Sequence, residues 1–218
     1  MKHVGVSTAH DQLNWIMIAR EGIPFITIPL VIAIALAIAG WWYISVVFVL
    51  IASFMVYFFR DPERTISGDP DVVVSAADGA VTRVDETASG KLVSVFLSPL
   101  DVHINRSPIA GTITKVEYTR GKKMPATSDR ASLINERNSI TITGEKMAVV
   151  CTQIAGILAR RIVCRCKVGD RLEQGQRYGL IKFSSRTDLL MPPSVEVLVK
   201  PGDRVIGGVT VIARLSNQ

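Results

Sequence analysis

From Gly22 to Phe59 the chain contains no Asp, Glu, Lys, Arg or His and is rich in Ile, Val, Leu and Ala. As one helix this run would measure about 57 Å, nearly twice the roughly 30 Å hydrocarbon core of a bilayer. It therefore predicts two antiparallel helices or a re-entrant hairpin. Gly40 supplies the turn, and Trp41, Trp42 and Tyr43 supply aromatic anchors at the far interface. A cleavable signal peptide fits poorly, because about twenty residues of mixed polarity precede the run and it outlasts an h-region. Arg20 stands before it and Arg60, Arg64 and Lys91 after it, so both ends are expected on the cytoplasmic side.

At Arg60-Asp61-Pro62-Glu63-Arg64 the pattern changes, which places a boundary between a membrane-anchoring segment (1–60) and a second domain (61–218). Beyond Val72 short β-branched runs recur between turn residues, as in Leu92 to Leu97, Ser139 to Thr143 and Val195 to Val199. Long helical periodicity is absent, so this part is expected to be mainly β. Two internal repeats refine that expectation. Ala77-Asp78-Gly79-Ala80-Val81-Thr82-Arg83-Val84 parallels Ile109-Ala110-Gly111-Thr112-Ile113-Thr114-Lys115-Val116, and Lys167-Val168-Gly169-Asp170-Arg171 parallels Lys200-Pro201-Gly202-Asp203-Arg204. Gly-Asp followed by apolar alternation reads as hairpin chemistry, and its recurrence predicts a pseudo-symmetric β-sandwich or barrel of the barrel-sandwich type.

Composition narrows the partners. A net charge of +6 without an aromatic-plus-basic recognition module argues against nucleic acid and for anionic lipid. Three cysteines, Cys151, Cys164 and Cys166, form no disulfide framework and suit a reducing compartment. Cys164 and Cys166 would share one face of a strand, but a metal site would need further ligands.

The segment Gly175-Gln176-Arg177-Tyr178-Gly179-Leu180-Ile181-Lys182-Phe183-Ser184-Ser185-Arg186-Thr187-Asp188 resembles the processing region of the short phosphatidylserine decarboxylase proenzymes. The resemblance extends to Phe58-Phe59-Arg60-Asp61-Pro62-Glu63-Arg64, Ser75-Ala76-Ala77-Asp78-Gly79, Phe96-Leu97-Ser98-Pro99-Leu100-Asp101-Val102-His103, Asn135-Glu136-Arg137-Asn138 and Gln153-Ile154-Ala155-Gly156, in family order. It covers nearly the whole chain from about residue 20.

The resemblance implies a self-processing enzyme needing no metal or external cofactor. The hydroxyl of Ser185 attacks the carbonyl of Ser184, the amide becomes an ester, and elimination followed by hydrolysis leaves a pyruvoyl group at the new amino terminus at 185. That group would form a Schiff base with the substrate amine and accept the electron pair released with carbon dioxide. The two cleaved chains would stay together, with room for a homo-oligomer. His103, the only histidine outside the amino-terminal segment, is the implied proton donor, and Asp78 the implied support for self-cleavage in an Asp-His-Ser arrangement. Without the resemblance, His103 would read as structural and Asp78 as part of an Asp-Gly hairpin turn.

Two positions depart from the family. Arg106 stands where larger relatives have a second histidine; it and Arg186 are candidates to hold an anionic phosphate or carboxylate of the substrate. Ser184 replaces a glycine, which adds backbone strain but removes no reacting atom, so slower processing is expected. Ser-Ser is also the processing pair of pyruvoyl histidine decarboxylases. The implied substrate is phosphatidylserine, or archaetidylserine where the lipid is a diether. Two other readings remain for the residues alone. One is a membrane-tethered barrel-sandwich adaptor without catalysis; the other is a hydrolase with Ser185 as nucleophile, for which no serine-elbow pattern is present.

Overall fold

The computed structural model describes residues 17–122, 124–126, 128, 131–157, 161–183 and 185–216. The amino-terminal part holds β1 (Met17–Ile18), a 3-10 turn (Arg20–Gly22), α1 (Ile23–Ile38), α2 (Trp42–Phe58) and β2 (Arg60–Asp61). Then follow β3 (Val72–Val74), β4 (Gly79–Thr87), β5 (Gly90–Leu97), β6 (Ile104–Arg106), β7 (Gly111–Thr119), α3 (Ala131–Ile134), β8 (Arg137–Thr143) and β9 (Ala148–Ala155). The chain ends with β10 (Arg161–Cys164), β11 (Arg171–Leu172), β12 (Arg177–Lys182), β13 (Ser185–Met191), β14 (Val195–Val197), β15 (Arg204–Val205) and β16 (Val211–Leu215).

The charge-free run folds as the expected pair of helices. Pro24 stands in the first turn of α1, where its missing N–H costs nothing. Gly40, at φ +84°, takes the left-handed conformation that turns the chain, and Trp41 N–H donates to Leu36 O at 2.9 Å. Ser45 Oγ ties the arms together by donating to Ala33 O at 2.8 Å. Each arm is about 24–26 Å long, slightly short of a hydrocarbon core. Arg20–Ile38, with mean hydropathy 2.2, is long and apolar enough to cross a membrane, and α2 is a shorter apolar helix. The outer faces expose Val31, Ile38, Trp42, Tyr43 and Leu50, a surface suited to lipid.

At its base the hairpin is fastened to the β-domain. Ala19 N–H donates to Phe59 O at 2.9 Å, and β1 pairs with β2. Phe58 and Phe59 are buried against Val102, Ile104 and Leu180. Gly22 lies so close to Phe59 that an added Cβ would sit 2.5 Å from its side chain.

The centre of the domain is an eight-stranded antiparallel sheet ordered β11-β7-β8-β9-β13-β5-β4-β15, curled into a half-barrel. The order is palindromic with respect to the repeats: β7 mirrors β4, and β11 mirrors β15. Val81 N–H donates to Asp203 O and Ile113 N–H to Asp170 O, both at 2.8 Å. Each repeat strand also carries a bulge at the same place, between Val81 and Arg83 and between Ile113 and Lys115. The Gly-Asp segments make tight turns, with Asp170 Oδ2 accepting from Lys167 N–H and Asp203 Oδ2 from Lys200 N–H at 2.9 Å. These turns do not join neighbouring strands as hairpins do; each delivers a short edge strand onto its repeat strand. The core between the layers includes Val81, Val95, Leu97, Ile113, Ile140, Ile142, Tyr178, Leu189 and Ile212.

Candidate active site

Ser185 opens β13, the sheet strand flanked by β5 and β9, and pairs with Leu97 on one side and Ala155 on the other. It is fully buried, and its Oγ has no hydrogen-bond partner among the described residues. Such an orphan is costly in a native fold. The expected partner in the cut, Ser184, lies outside the described residues. Phe183, just before it, has φ +66°, the only non-glycine among the described residues with positive φ. A bulky side chain in that region is strained, so the backbone approaching β13 is held away from its relaxed form.

His103 precedes β6 and is 2% exposed. Its Nδ1–H donates to Asp101 O at 2.9 Å, leaving Nε2 as the other ring nitrogen, buried and without a partner among the described residues. The Ser98-Pro99-Leu100-Asp101 turn sets this geometry: Asp101 Oδ2 accepts from Ser98 N–H at 2.8 Å and Ser98 Oγ at 2.7 Å. Burial pushes the imidazole pKa down to about 4, against smaller raising effects of the Asp101 carbonyl and the Asp101 and Asp78 carboxylates. The Phe58 ring lies 4.2 Å from the imidazole and stacks on Phe183 at 4.6 Å, centroid to centroid. The end of the hairpin thus bridges His103 and Phe183.

Asp78 is not hydrogen-bonded to His103. Its carboxylate receives both Arg64 Nη groups, at 2.5 and 2.7 Å, and Gly207 N–H at 2.9 Å. The Asp-Gly pair is no hairpin turn either. Gly79 starts β4, where a Cβ would fall 2.0 Å from Phe96 O, so close approach of strands requires glycine. Arg106 is buried and donates to Asp61 Oδ1 (3.1 Å), Pro62 O (2.8 Å) and Gly175 O (3.2 Å). Burial, with Arg177 and Arg64 nearby, lowers its pKa to about 10. It lines a cavity of about 590 Å³ together with Arg64, Arg165 and Arg177. Arg186 turns elsewhere: its guanidinium pairs with Asp188 (2.8 Å) and donates to Ala126 O (3.1 Å) and Ser128 O (3.3 Å), pinning that loop to β13.

Three contributions were missed from the sequence. Arg64 and Asp61 read only as the exit from the membrane, yet they neutralise Asp78 and Arg106. Phe58 read as the end of an apolar run. Beside Ser185 runs a buried polar chain: Asn138 Nδ2 donates to Gln153 Oε1 (3.3 Å), Gln153 Nε2 to Asn105 Oδ1 (2.8 Å), and Asn105 Nδ2 to Thr187 Oγ1 (2.9 Å). A signal for it existed, since Asn138 is in phase with Ile140 and Ile142, and Gln153 with Val149 and Cys151. Among the described residues no cluster of three His, Cys, Asp or Glu could hold a metal ion.

The sequence model of the phosphatidylserine decarboxylase family matches residues 51–213. The chain is 47% identical over 207 residues to the phosphatidylserine decarboxylase proenzyme of Symbiobacterium thermophilum, covering 91% of this chain and 96% of that one. It is 43% identical over 214 residues to the proenzyme of Magnetococcus marinus, covering 93% and 97%. To that of Geotalea uraniireducens it is 42% identical over 207 residues, covering 91% and 96%. These matches leave no room for the non-catalytic adaptor reading, and the chain belongs to the phosphatidylserine decarboxylase family and is a decarboxylase.

Proposed function

We propose that this chain cuts itself between Ser184 and Ser185 and then removes carbon dioxide from the serine head group of phosphatidylserine. The observation that carries the reading is the buried Ser185 Oγ at the head of β13, without a partner among the described residues and two positions after the strained Phe183. In the uncut chain a neutral His103 Nε2 is suited to take the Ser185 hydroxyl proton while Oγ attacks the carbonyl carbon of 184. The C–N bond to residue 185 breaks, Oγ takes its place on that carbon, and the amine is freed. Loss of the α-proton of residue 185 and breaking of its Cβ–Oγ bond leave a carboxylate at 184 and dehydroalanine at 185, and hydrolysis of that dehydroalanine releases ammonia and leaves a pyruvoyl group amide-bonded to Arg186. That pyruvoyl group supplies the electron sink for decarboxylation when the substrate amine joins it.

The fit of such a group rests on the same geometry, because Ser185 is fully buried between β5 and β9. His103, neutral in the uncut chain, can serve as proton donor in turnover only after it has gained a proton. Asp78, held by Arg64, supports its basicity through space. Both arginines are buried and paired, but Arg106 lines the basic cavity with Arg64, Arg165 and Arg177, which makes it the better of the two to meet a lipid anion, whereas Arg186 serves Asp188 and the carbonyls of Ala126 and Ser128.

Residues 1–60 anchor the enzyme and 61–218 form the decarboxylase domain, set at the cytoplasmic face by Arg20, Arg60 and Arg64. An archaetidylserine would present the same head group to this site. Intact-mass analysis tests the proposal. A fragment spanning 185–218 with a hydroxylamine-reactive carbonyl supports it, and Ser184→Gly should speed its appearance. If both chains stay whole and inert toward phosphatidylserine, the proposal fails.

A further inference from the structure

Between the arms of the hairpin, at the end nearest the β-domain, lies an open cavity of about 390 Å³. Its walls are Pro24, Phe25, Ile28, Pro29, Ile51 and Met55, all apolar. Pro29, inside α1, has no N–H to donate to the turn before it, so the helix lacks one backbone hydrogen bond at the level of the cavity. The cavity does not end blindly. Phe25, one of its walls, packs on Phe59 at 5.4 Å and Phe183 at 6.0 Å, and Phe183 leads through Phe58 to His103. Beside this junction the Lys182 ammonium stands 5.2 Å from the Phe25 ring centroid. An apolar groove, a cation at its mouth and a polar reaction centre thus follow one another in the order of tail, phosphate and head group in a phospholipid.

An apolar surface inside a bilayer gains nothing from the hydrophobic effect by binding one lipid tail in place of another. Preference for one molecule must therefore come from its continuity with the site. Resting on the decarboxylase reading above, we infer that this groove seats the upper part of one acyl chain of the substrate. The hairpin is then a wall of the substrate site as well as an anchor, with Lys182 facing the lipid phosphate.

Groove-filling Ile28→Trp and Ile51→Trp test this in the full chain in detergent micelles, with Val31→Trp on the exposed face as control. Filling should raise KM for dipalmitoyl phosphatidylserine about tenfold, because a displaced tail carries the head group out of register with the reaction centre. KM for glycerophosphoserine should move less than about twofold, and the control should change neither. Equal effects on both substrates, or none, overturn the inference and leave the decarboxylase reading standing; a parent chain that decarboxylates neither substrate overturns that reading itself. Should the tryptophan variants misfold, a phosphatidylserine with a diazirine on its acyl chain probes the unaltered protein in phosphatidylcholine vesicles. Labelling concentrated on Ile28, Ile51 and Met55 and displaced by unlabelled phosphatidylserine supports the groove. Labelling spread over Val31 and Leu50, or not displaced, refutes it.

Discussion

Protonating His103 should destabilise the uncut chain by an amount that the structure sets. The imidazole is 2% exposed, and burial lowers its pKa from 6.5 to about 4. Unfolding returns it to water and to its ordinary value. Between those two pH values the unfolded chain binds a proton that the folded chain refuses, so stability falls as pH falls from about 6.5 to about 4 and is unaffected above. At roughly 1.36 kcal/mol per pKa unit the full effect is about 3 kcal/mol. By pH ~4.5 about 2.5 kcal/mol of it should be visible. The test uses the full Ser185→Ala chain, which cannot cut itself, and the same chain with His103→Gln, both in detergent. Urea unfolding, followed by circular dichroism at neutral pH and at about 4.5, should cost the histidine form about 2.5 kcal/mol more than the glutamine form. Histidine-labelled NMR of the same protein should show one imidazole titrating near 4. A corollary concerns chemistry: if His103 acts as a base, self-cleavage should be level above about pH 5 and fall toward 4. Equal pH dependence of the two forms, or a cleavage rate that declines above about 6.5, would refute this account of the site.

Other outcomes follow from the packing. Phe58→Ala removes a fully buried ring between His103 and Phe183 and should cost about 3–5 kcal/mol by thermal or urea unfolding, with slower processing; Phe58→Leu should recover most stability but not the processing rate. Arg64→Ala and Asp78→Asn each strand a partner of a largely buried ion pair and should each cost about 3 kcal/mol or more, while the double variant should cost less than their sum in the same assay. After cleavage the 185–218 piece should co-purify with the remainder, because β13 stays paired with β5 and β9, β15 with β4, and β16 with β3. Size-exclusion chromatography should separate the two only in denaturant.

The hairpin and the β-domain were legible in the sequence because each rests on a local, repeating signal. A charge-free run twice the length of one bilayer crossing has to fold back, and Gly40 with its aromatic neighbours marks where. The repeats were equally direct, since residues that recur in order occupy mirrored strands and even share their bulges. The Gly-Asp turns were placed correctly and joined wrongly. Turn chemistry specifies a local reversal, whereas which strand receives the chain afterwards depends on distant partners, Thr112 for Arg171 and Ala80 for Arg204.

The site divides along the same line. Ser185 and His103 stood out only within motifs that resemble a known family, whereas the paired apolar helices and the repeated β architecture were carried by the residues themselves. Tertiary structure alone decided that Asp78 is held by Arg64 and not by His103, that Arg186 serves a loop, that Arg106 shares Asp61 with Arg177, and that Phe58 joins the hairpin to the imidazole. The physical reason is range. Periodicity and turn preference act over a few residues and leave a trace in the order of the chain. Burial, ion pairing and pKa depend on which distant groups meet and how much water is excluded between them, and those quantities exist only once the chain has folded.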